Sequence, residues 1–201
     1  MRAAATPTLR AIPVGPKGRR YQAALIHAAG FKVPETIVTN DAAALGVFAA
    51  RHGTLIYKSS SGVRSIVAEY DPADASRRAD LATCPTQFQR RINGTDVRVH
   101  VVGSELFACQ VRSSAVDYRY PASDAEWPQL TACALPPEIA AQCRKLAASL
   151  RLDFAGVDLR VTADDEWFCF EVNPSPGFTY YENATGLPIA AALAGLLAGF
   201  C

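Results

Sequence analysis

Two segments in the last quarter of the sequence carry side chains from which a metal-dependent reaction could be built. FAGVDLRV contains Asp158, and WFCFEVNPSPG contains Glu171 and Asn173. The polar loop TADDE separates these two apolar segments, so they are predicted to form an antiparallel β-hairpin. With the turn at the middle of that loop, Asp158 lies opposite Glu171, and Gly156 lies opposite Asn173.

Side-chain alternation divides this hairpin into two faces. Phe168, Phe170 and Val172 are predicted to lie on an apolar face that joins the core. Trp167 and Cys169 are expected on the opposite face, together with the two acids.

The opposed carboxylates have two explanations at this point. Like charges directly opposite each other repel, and Arg160, expected on the same face, could neutralise one acid and leave an ordinary solvated surface. Alternatively, Asp158, Glu171 and Asn173 offer hard oxygen donors suited to magnesium, which keeps several waters and also binds substrate phosphates. A divalent cation would then offset the repulsion.

Composition narrows the class of protein. The chain has 201 residues, 50% of them hydrophobic, and a net charge of +1, so a single-sign field that would attract nucleic acid or a membrane surface is not expected. Its six cysteines form no CxxC pair, which favours free thiols in a reducing cytoplasm. The apolar run of residues 187–201 is too short to span a membrane and is predicted to be a buried helix. His27, His52 and His100 are assigned to packing or surface positions.

Periodicity predicts a small α+β lobe followed by a larger one. Tyr21, Leu25, Ala28 and Ala29 would form the buried face of a first helix that ends at a glycine. NDAAALGVFAARHG and PPEIAAQCRKLAASLRL are predicted helices, and DVRVHVVGSELFACQVRS is a predicted hairpin with a Gly-Ser turn.

Three divisions of the chain follow from these elements. They are a basic arm at 1–20, a small lobe with the first helix at 21–88, and a large lobe at 89–201. Residues 120–136 are expected to be a long loop.

The segments AGVDLRV and WFCFEVNPSPGF together resemble the metal-binding end of the ATP-grasp superfamily, and YYENATGLPIAAALAGLL is similar to the tail of its RimK-like branch. Upstream, AAGFKVPETIVTND, LIYKSSSG and FQRRINGTDVRVHVVG resemble earlier parts of the same domain in family order. The resemblance implies an α+β ATP-grasp fold, with two α+β lobes gripping a nucleotide and without the N-terminal α/β domain that commonly precedes them.

The resemblance also implies a role for each matching residue. Asp158, Glu171 and Asn173 would bind one or two magnesium ions, with manganese as an alternative, that bridge the phosphates of ATP. The remaining nominated side chains would contact nucleotide, transferring phosphate or acceptor: Lys58 at the phosphates, Gln89 and Arg91 at the adenine hinge, Asp96 at the ribose, Arg98 and Arg119 at the transferring phosphoryl group, and Arg112 and Ser113 at the acceptor. The structural alternatives are that Lys58 is a surface charge, that Arg98 pairs with Asp96, and that the strand of Arg112 ends in solvent.

The implied activity is that of an ATP-dependent carboxylate-amine ligase. Such an enzyme activates a carboxylate as an acyl phosphate, which an amine then attacks to form an amide. The acceptor would be an amino acid, a peptide or a protein. The expected partners are ATP and these substrates. Either a partner subunit or second copy takes the role of the missing domain, or this sequence is a trimmed part of a longer product. The hinge sequence of Gln89 to Ile92 departs from the family pattern of Gln-Glu-aromatic-aliphatic. A catalytically inactive nucleotide-binding or interaction module is therefore the alternative.

Overall fold

The computed structural model describes residues 16–59, 67–73, 81–113 and 127–199. The side chains of residues 16–21 and of Ser59 lie outside this description, as do residues 1–15 of the expected arm, Gly62 in the segment LIYKSSSG, and Arg119. The elements in chain order are α1 (Pro16–Ala29), β1 (Thr36–Thr39), α2 (Ala42–His52), β2 (Leu55–Ser59), β3 (Ala68–Glu69), β4 (Thr86–Arg90), β5 (Thr95–Val102), β6 (Glu105–Arg112), β7 (Gln129–Cys133), α3 (Pro137–Ser149), β8 (Phe154–Val161), β9 (Trp167–Asn173), α4 (Thr179–Thr185) and α5 (Ile189–Ala198).

The chain divides into two compact units, each containing one sheet. The smaller unit comprises Pro34–Asn93 and Ser113–Pro128, whereas α1, Gly94–Arg112 and the chain from Gln129 onwards belong to the larger unit. The boundaries therefore differ from those expected at residues 21 and 89. The difference arises because α1 packs against α3 and β9, which are separated from it by more than a hundred residues of sequence.

The smaller unit is a four-stranded antiparallel sheet with strand order β1-β4-β2-β3. Helix α2 begins after Asp41, whose carboxylate accepts a hydrogen bond from the backbone N–H of Ala43 at 2.8 Å, a standard N-cap. It ends at Gly53, which has a φ of 71°. Leu45 of this helix packs in a small core with Leu55 and Phe88. The helix predicted for NDAAALGVFAARHG is therefore confirmed.

The larger unit is built on a five-stranded antiparallel sheet with strand order β7-β6-β5-β8-β9. Val97, Val99 and Val101 of β5 face a core shared with α1 and α3, as their alternation predicts. The predicted buried face of α1 is right for Ala29, which is buried, and for Leu25, which packs against the core. It is wrong for Ala28, which is exposed; among the described side chains of the helix, Gln22 and Ile26 are buried instead.

Strand β7 was missed by the sequence reading, which placed Gln129–Cys133 inside a loop. These five residues pair with β6 and extend the sheet at its edge. The segment is short, mostly exposed and flanked by Pro128 and Pro136, so it lacks the apolar alternation from which a strand is recognised.

The remaining two helices, α4 and α5, belong to the larger unit. Tyr181 of α4 packs edge-on against the ring of His100, with the ring centroids 5.0 Å apart. Helix α5 is buried on one side through Ile189, Ala192 and Leu193, while Leu197 is exposed. In the described ranges, no helix is long and apolar enough to cross a membrane.

Candidate functional site

The predicted register around the acid pair is confirmed. Asp158 lies opposite Glu171, and Gly156 lies opposite Asn173. The ladder shifts between Asp158 and Leu159, so that Leu159 lies opposite Cys169. The shift is a β-bulge that gives β9 one extra residue, and such bulges re-aim the side chains beside them.

The bulge overturns the predicted faces for the first part of β9. Cys169 and Trp167 pack with the core that includes Leu159, although they were expected beside the acids. Phe170 was expected in the core, but its ring lies 5.2 Å from the guanidinium carbon of Arg160 on the acid-bearing face. Strict alternation fails here because one residue, Phe170, has no partner in the ladder.

The two arginines of this face bind different acids from those considered in the sequence reading. Arg160 donates two hydrogen bonds to Asp96, at 2.7 and 2.8 Å, so Asp96 rather than Asp158 or Glu171 receives its charge. Arg98 lies opposite Asp158 and forms an ion pair with it at 2.5 Å. The alternative pairing of Arg98 with Asp96 is therefore wrong.

The Arg98 side chain is almost fully enclosed, with 7% of its surface exposed. Its guanidinium carbon lies 5.6 Å from the centre of the Tyr181 ring. A Cβ atom on Gly156 would lie 2.2 Å from a guanidinium nitrogen and 2.7 Å from Pro176. The absence of a side chain at Gly156 thus makes the space that Arg98 occupies beside Asp158.

Glu171 differs from Asp158 in its surroundings. Its side chain is half-buried, and within the described ranges it has neither a hydrogen-bond partner nor an ion pair. A carboxylate held opposite another carboxylate without a counter-ion is unfavourable unless a cation joins them. The two acids are therefore not equivalent, because Asp158 has a counter-ion in Arg98 and Glu171 has none within the described ranges.

Asn173 is held by the turn that follows it. Its side-chain oxygen Oδ1 accepts a hydrogen bond from the backbone N–H of Ser175 at 2.9 Å, which is the geometry of an Asx turn. An amide oxygen has two lone pairs, so this bond orients the oxygen and leaves acceptor capacity for a cation. The Pro-Ser-Pro-Gly segment therefore ends β9 and orients its last donor.

His100 lies beneath the same turn. It is fully buried, and its Nε2 atom lies 3.2 Å from the carbonyl oxygen of Gly177. Burial, assisted by the charge of Arg98, lowers the pKa of His100 to about 4. The ring is consequently neutral near pH 7, with Nε2 as the donor to Gly177. The expectation that His100 is a packing residue is consistent with this environment.

The donor set fits a magnesium ion. Asp158, Glu171 and Asn173 offer three oxygen-bearing side chains on adjacent strands, which matches the hard ligands that magnesium prefers. Within the described part of the chain, no cluster of three or more His, Cys, Asp or Glu side chains could hold a metal ion. A site of these three residues thus contains two acids and an amide, and leaves further coordination positions to water and phosphate.

The nominated residues of the smaller unit lie on β2, β4 and the segment after it. Lys58 is half-buried opposite Gln87. Gln89 lies inside β4 and is buried, and its amide nitrogen donates to the Thr36 hydroxyl at 3.0 Å. Arg91 forms an exposed ion pair with Glu69. Their nucleotide contacts stay predictions.

The other nominated residues lie on β5, at the end of β6 and directly after it. Arg112 pairs with Gln129 at the end of β6. Its neighbour Val111 lies across from Asp96 and shares the face of Asp96, so the side chain of Arg112 points to the other face of the sheet. Ser113 follows it and is exposed. Both oxygens of Asp96 accept hydrogen bonds from Arg160, so a ribose contact by Asp96 would compete with that pair.

The sequence does not reveal that Tyr181 and Pro176 belong to this face. It also does not reveal that Gly156 leaves space for Arg98. Their signal was weak, because Tyr181 and Pro176 belong to a segment without periodicity. In the sequence, Gly156 is distinguished only by its predicted place opposite Asn173.

Comparison with known proteins identifies the fold and the family. The structure of the ATP-grasp ligase PsnB complexed with a phosphomimetic variant of minimal precursor, Mg and ADP superimposes with a TM-score of 0.77 at 28% identity, over 90% of this chain and 58% of that one. The macrocyclase MdnC of Microcystis aeruginosa, bound with precursor peptide MdnA, gives 0.78 at 23% identity, over 90% of this chain and 60% of that one. The fold is therefore an ATP-grasp fold.

The family model for the RimK-like ATP-grasp domain matches residues 24–197, and the chain belongs to this family. A probable alpha-L-glutamate ligase of Alkalilimnicola ehrlichii is 26% identical over 72% of this chain and 46% of its own length. The ribosomal protein bS6–L-glutamate ligase of Shigella flexneri is 27% identical over 67% of this chain and 46% of its own length. The chain thus spans about half the length of the curated relatives it matches.

Proposed function

We propose that the chain is an ATP- and magnesium-dependent carboxylate-amine ligase. In this reaction a substrate carboxylate oxygen attacks the γ-phosphorus of ATP, and ADP leaves. An amine nitrogen then attacks the acyl carbon, phosphate leaves with the electrons of the broken C–O bond, and the amine gives up a proton. The products are an amide, ADP and phosphate.

The observation that carries this proposal is the pairing of Asp158 with Glu171 across β8 and β9. Magnesium held by these acids and Asn173 would absorb negative charge on the phosphates of ATP. The Asx turn at Asn173 and the Arg98–Asp158 pair hold two of the three donors before any nucleotide binds. Such preorganisation is what electrostatic stabilisation of phosphoryl transfer requires.

The proposed role of Arg98 is refined by its surroundings. Its enclosed guanidinium lies against Asp158, so its first effect is to fix the orientation of that carboxylate. From the same place it contributes positive charge beside the phosphoryl group that we propose is transferred. Family membership extends the phosphate-binding proposal to Lys58 of the smaller unit.

The substrate class that we favour is a peptide carboxylate or a peptide amine. Structures of PsnB and MdnC were determined with precursor peptides, while two of the relatives are named as glutamate ligases. A peptide acceptor together with a small amino acid or a second peptide group satisfies both comparisons.

The Glu171→Gln substitution tests the proposal. It removes one carboxylate and keeps the shape of the side chain, so we expect magnesium-dependent ADP release with an active acceptor to fall by at least about a hundredfold, equivalent to several kcal/mol of lost charge stabilisation. The assay measures ADP and amide product by mass spectrometry against a panel of amino acids and peptides.

Glu105→Gln is the matched control, because Glu105 is exposed at the start of β6. It should leave turnover unchanged. Turnover by Glu171→Gln at the level of the parent chain would refute the metal assignment. Binding of Mg·ADP without product from any acceptor would favour the inactive nucleotide-binding module instead.

A further inference from the structure

Strand β9 carries two of the three proposed metal ligands and lies at the edge of the five-stranded sheet. An edge strand presents backbone N–H and C=O groups that no neighbouring strand satisfies. Here the first part of that edge is covered by Lys32. Its N–H donates to the carbonyl of Trp167 at 3.2 Å, and its carbonyl accepts from the N–H of Cys169 at 2.9 Å.

The second part of the edge is covered by a side chain. Gln22 of α1 donates from Nε2 to the carbonyl oxygen of Val172 at 2.9 Å, and its Oε1 accepts from the N–H of Val172 at 3.3 Å. The carboxamide therefore satisfies both backbone groups of one residue, as a neighbouring strand would. Gln22 is 8% exposed, so water does not readily replace either bond.

Val172 is the residue between Glu171 and Asn173. Successive side chains of a strand point to opposite faces, so the φ and ψ of Val172 determine how its two neighbours lie relative to each other. The bulge after Asp158 interrupts the inner ladder immediately before this point. The outer edge must consequently supply restraint that the inner ladder lacks.

We propose that Gln22 is a positioning residue, which fixes the spacing of Glu171 and Asn173 for a divalent cation by clamping the backbone of Val172. This inference rests on the metal site under Proposed function. It predicts that a change in α1, which provides no metal ligand, alters metal affinity.

The test compares Gln22→Met with Gln142→Met. Methionine has nearly the same length as glutamine and neither donates nor accepts strongly, so Gln22→Met leaves both groups of Val172 unpaired. Gln142 of α3 is the matched control, because its buried Oε1 has no hydrogen-bond partner within the described residues. Mn²⁺ is the probe, titrated in the presence of ADP and detected by electron paramagnetic resonance.

We expect Gln22→Met to weaken Mn²⁺ binding by about tenfold or more, as is typical when a partner behind the metal ligands is lost, and Gln142→Met to leave it unchanged. Calorimetry without a metal should give the same ADP affinity for both. Parent-like Mn²⁺ affinity in Gln22→Met, whatever its thermal stability, overturns the positioning role.

A second variant decides the matter if Gln22→Met does not fold. In Gln22→Glu, the introduced carboxyl can accept from Val172 when ionised, but it can reproduce both hydrogen bonds only when protonated, and burial favours the protonated form. The Mn²⁺ affinity relative to the parent chain should therefore recover as pH is lowered from about 8 to about 6. A pH-independent ratio contradicts the proposal.

Glu171→Gln separates the two hypotheses. If it loses Mn²⁺ affinity while Gln22→Met does not, only the positioning role fails. If Glu171→Gln binds Mn²⁺ as the parent chain does, the metal assignment fails, and the positioning role fails with it.

Discussion

Replacing Gly156 with alanine would add one carbon atom at the centre of the acid-bearing face without changing any charge. The new Cβ would lie 2.2 Å from Nη2 of Arg98 and 2.7 Å from the Cβ of Pro176, whereas ordinary contacts begin at 3.4 Å. Arg98 must therefore move away. Its guanidinium forms an ion pair with the Asp158 carboxylate and lies over the Tyr181 ring, so the displacement weakens the ion pair.

The expected cost has two parts. Overpacking of a filled site typically costs about 1–3 kcal/mol. Breaking a buried ion pair costs about 3–5 kcal/mol, but only part of that applies, because the Asp158 side chain is 26% exposed. We therefore expect Gly156→Ala to lower the free energy of unfolding by about 2–3 kcal/mol, which corresponds to a fall in Tm of about 4–12 °C for a chain of this size.

Thermal and urea unfolding measure this difference, with Gly177→Ala as the local control. A Cβ at Gly177 meets no atom within 4 Å, and its carbonyl can still accept from His100. Equal Tm values for the two variants would refute the argument that Gly156 makes the space for Arg98. Calorimetric titration with Mg·ADP should in addition show weaker binding by Gly156→Ala, since Asp158 loses its orienting partner.

Two further predictions follow from buried titratable groups. The pKa of His100 is lowered from 6.5 to about 4, so between these pH values the unfolded chain binds a proton that the folded chain does not. The free energy of unfolding should therefore be unaffected by this group above pH 6.5 and should fall by about 3 kcal/mol as the pH is lowered towards 4. Urea unfolding across this range should show the slope, and an unchanged slope in His100→Phe would contradict its assignment. Burial raises the pKa of Cys109 to about 11, of Cys143 to about 12 and of Cys169 well above its usual range, whereas Cys84 is exposed. Among the five cysteines that the structure describes, maleimide at neutral pH should label Cys84 first, as determined by peptide mass spectrometry. Equally rapid labelling of Cys169 in the folded protein would show that the strand opens.

The acid pair could be predicted from the sequence because it depends on local information. Asp158 and Glu171 are joined by a short polar loop, and strand periodicity fixes which residues face each other. The bulge beside them could not be predicted in the same way. Cys169 and Phe170 both suit a core, so the choice between them depends on packing against α1 and α3.

The partners of the two arginines required the register between β5 and β8. Asp96 and Arg98 alternate on one strand, and Asp158 and Arg160 alternate on the other. Shifting the register by two residues would break both pairs, because it places either Asp96 opposite Asp158 or Arg98 opposite Arg160. That register is set by long-range packing rather than by any motif. Gln22 was beyond the reach of sequence reasoning for the same reason, since 150 residues separate it from Val172.

The clamp of Gln22 on Val172 also has a consequence for the order in which the protein is made. Residues 34–93 contain all four strands of the smaller sheet, so this sheet can form while the ribosome is still translating the middle of the chain. In the larger unit, by contrast, α1 cannot contact β9 until that strand has been synthesised. At translation rates of about 5–20 residues per second, the interval between the two elements lasts many seconds. During this time Gln22 and the apolar side of α1 have no partner strand, which makes the nascent chain before β9 the stage most exposed to chaperones and aggregation.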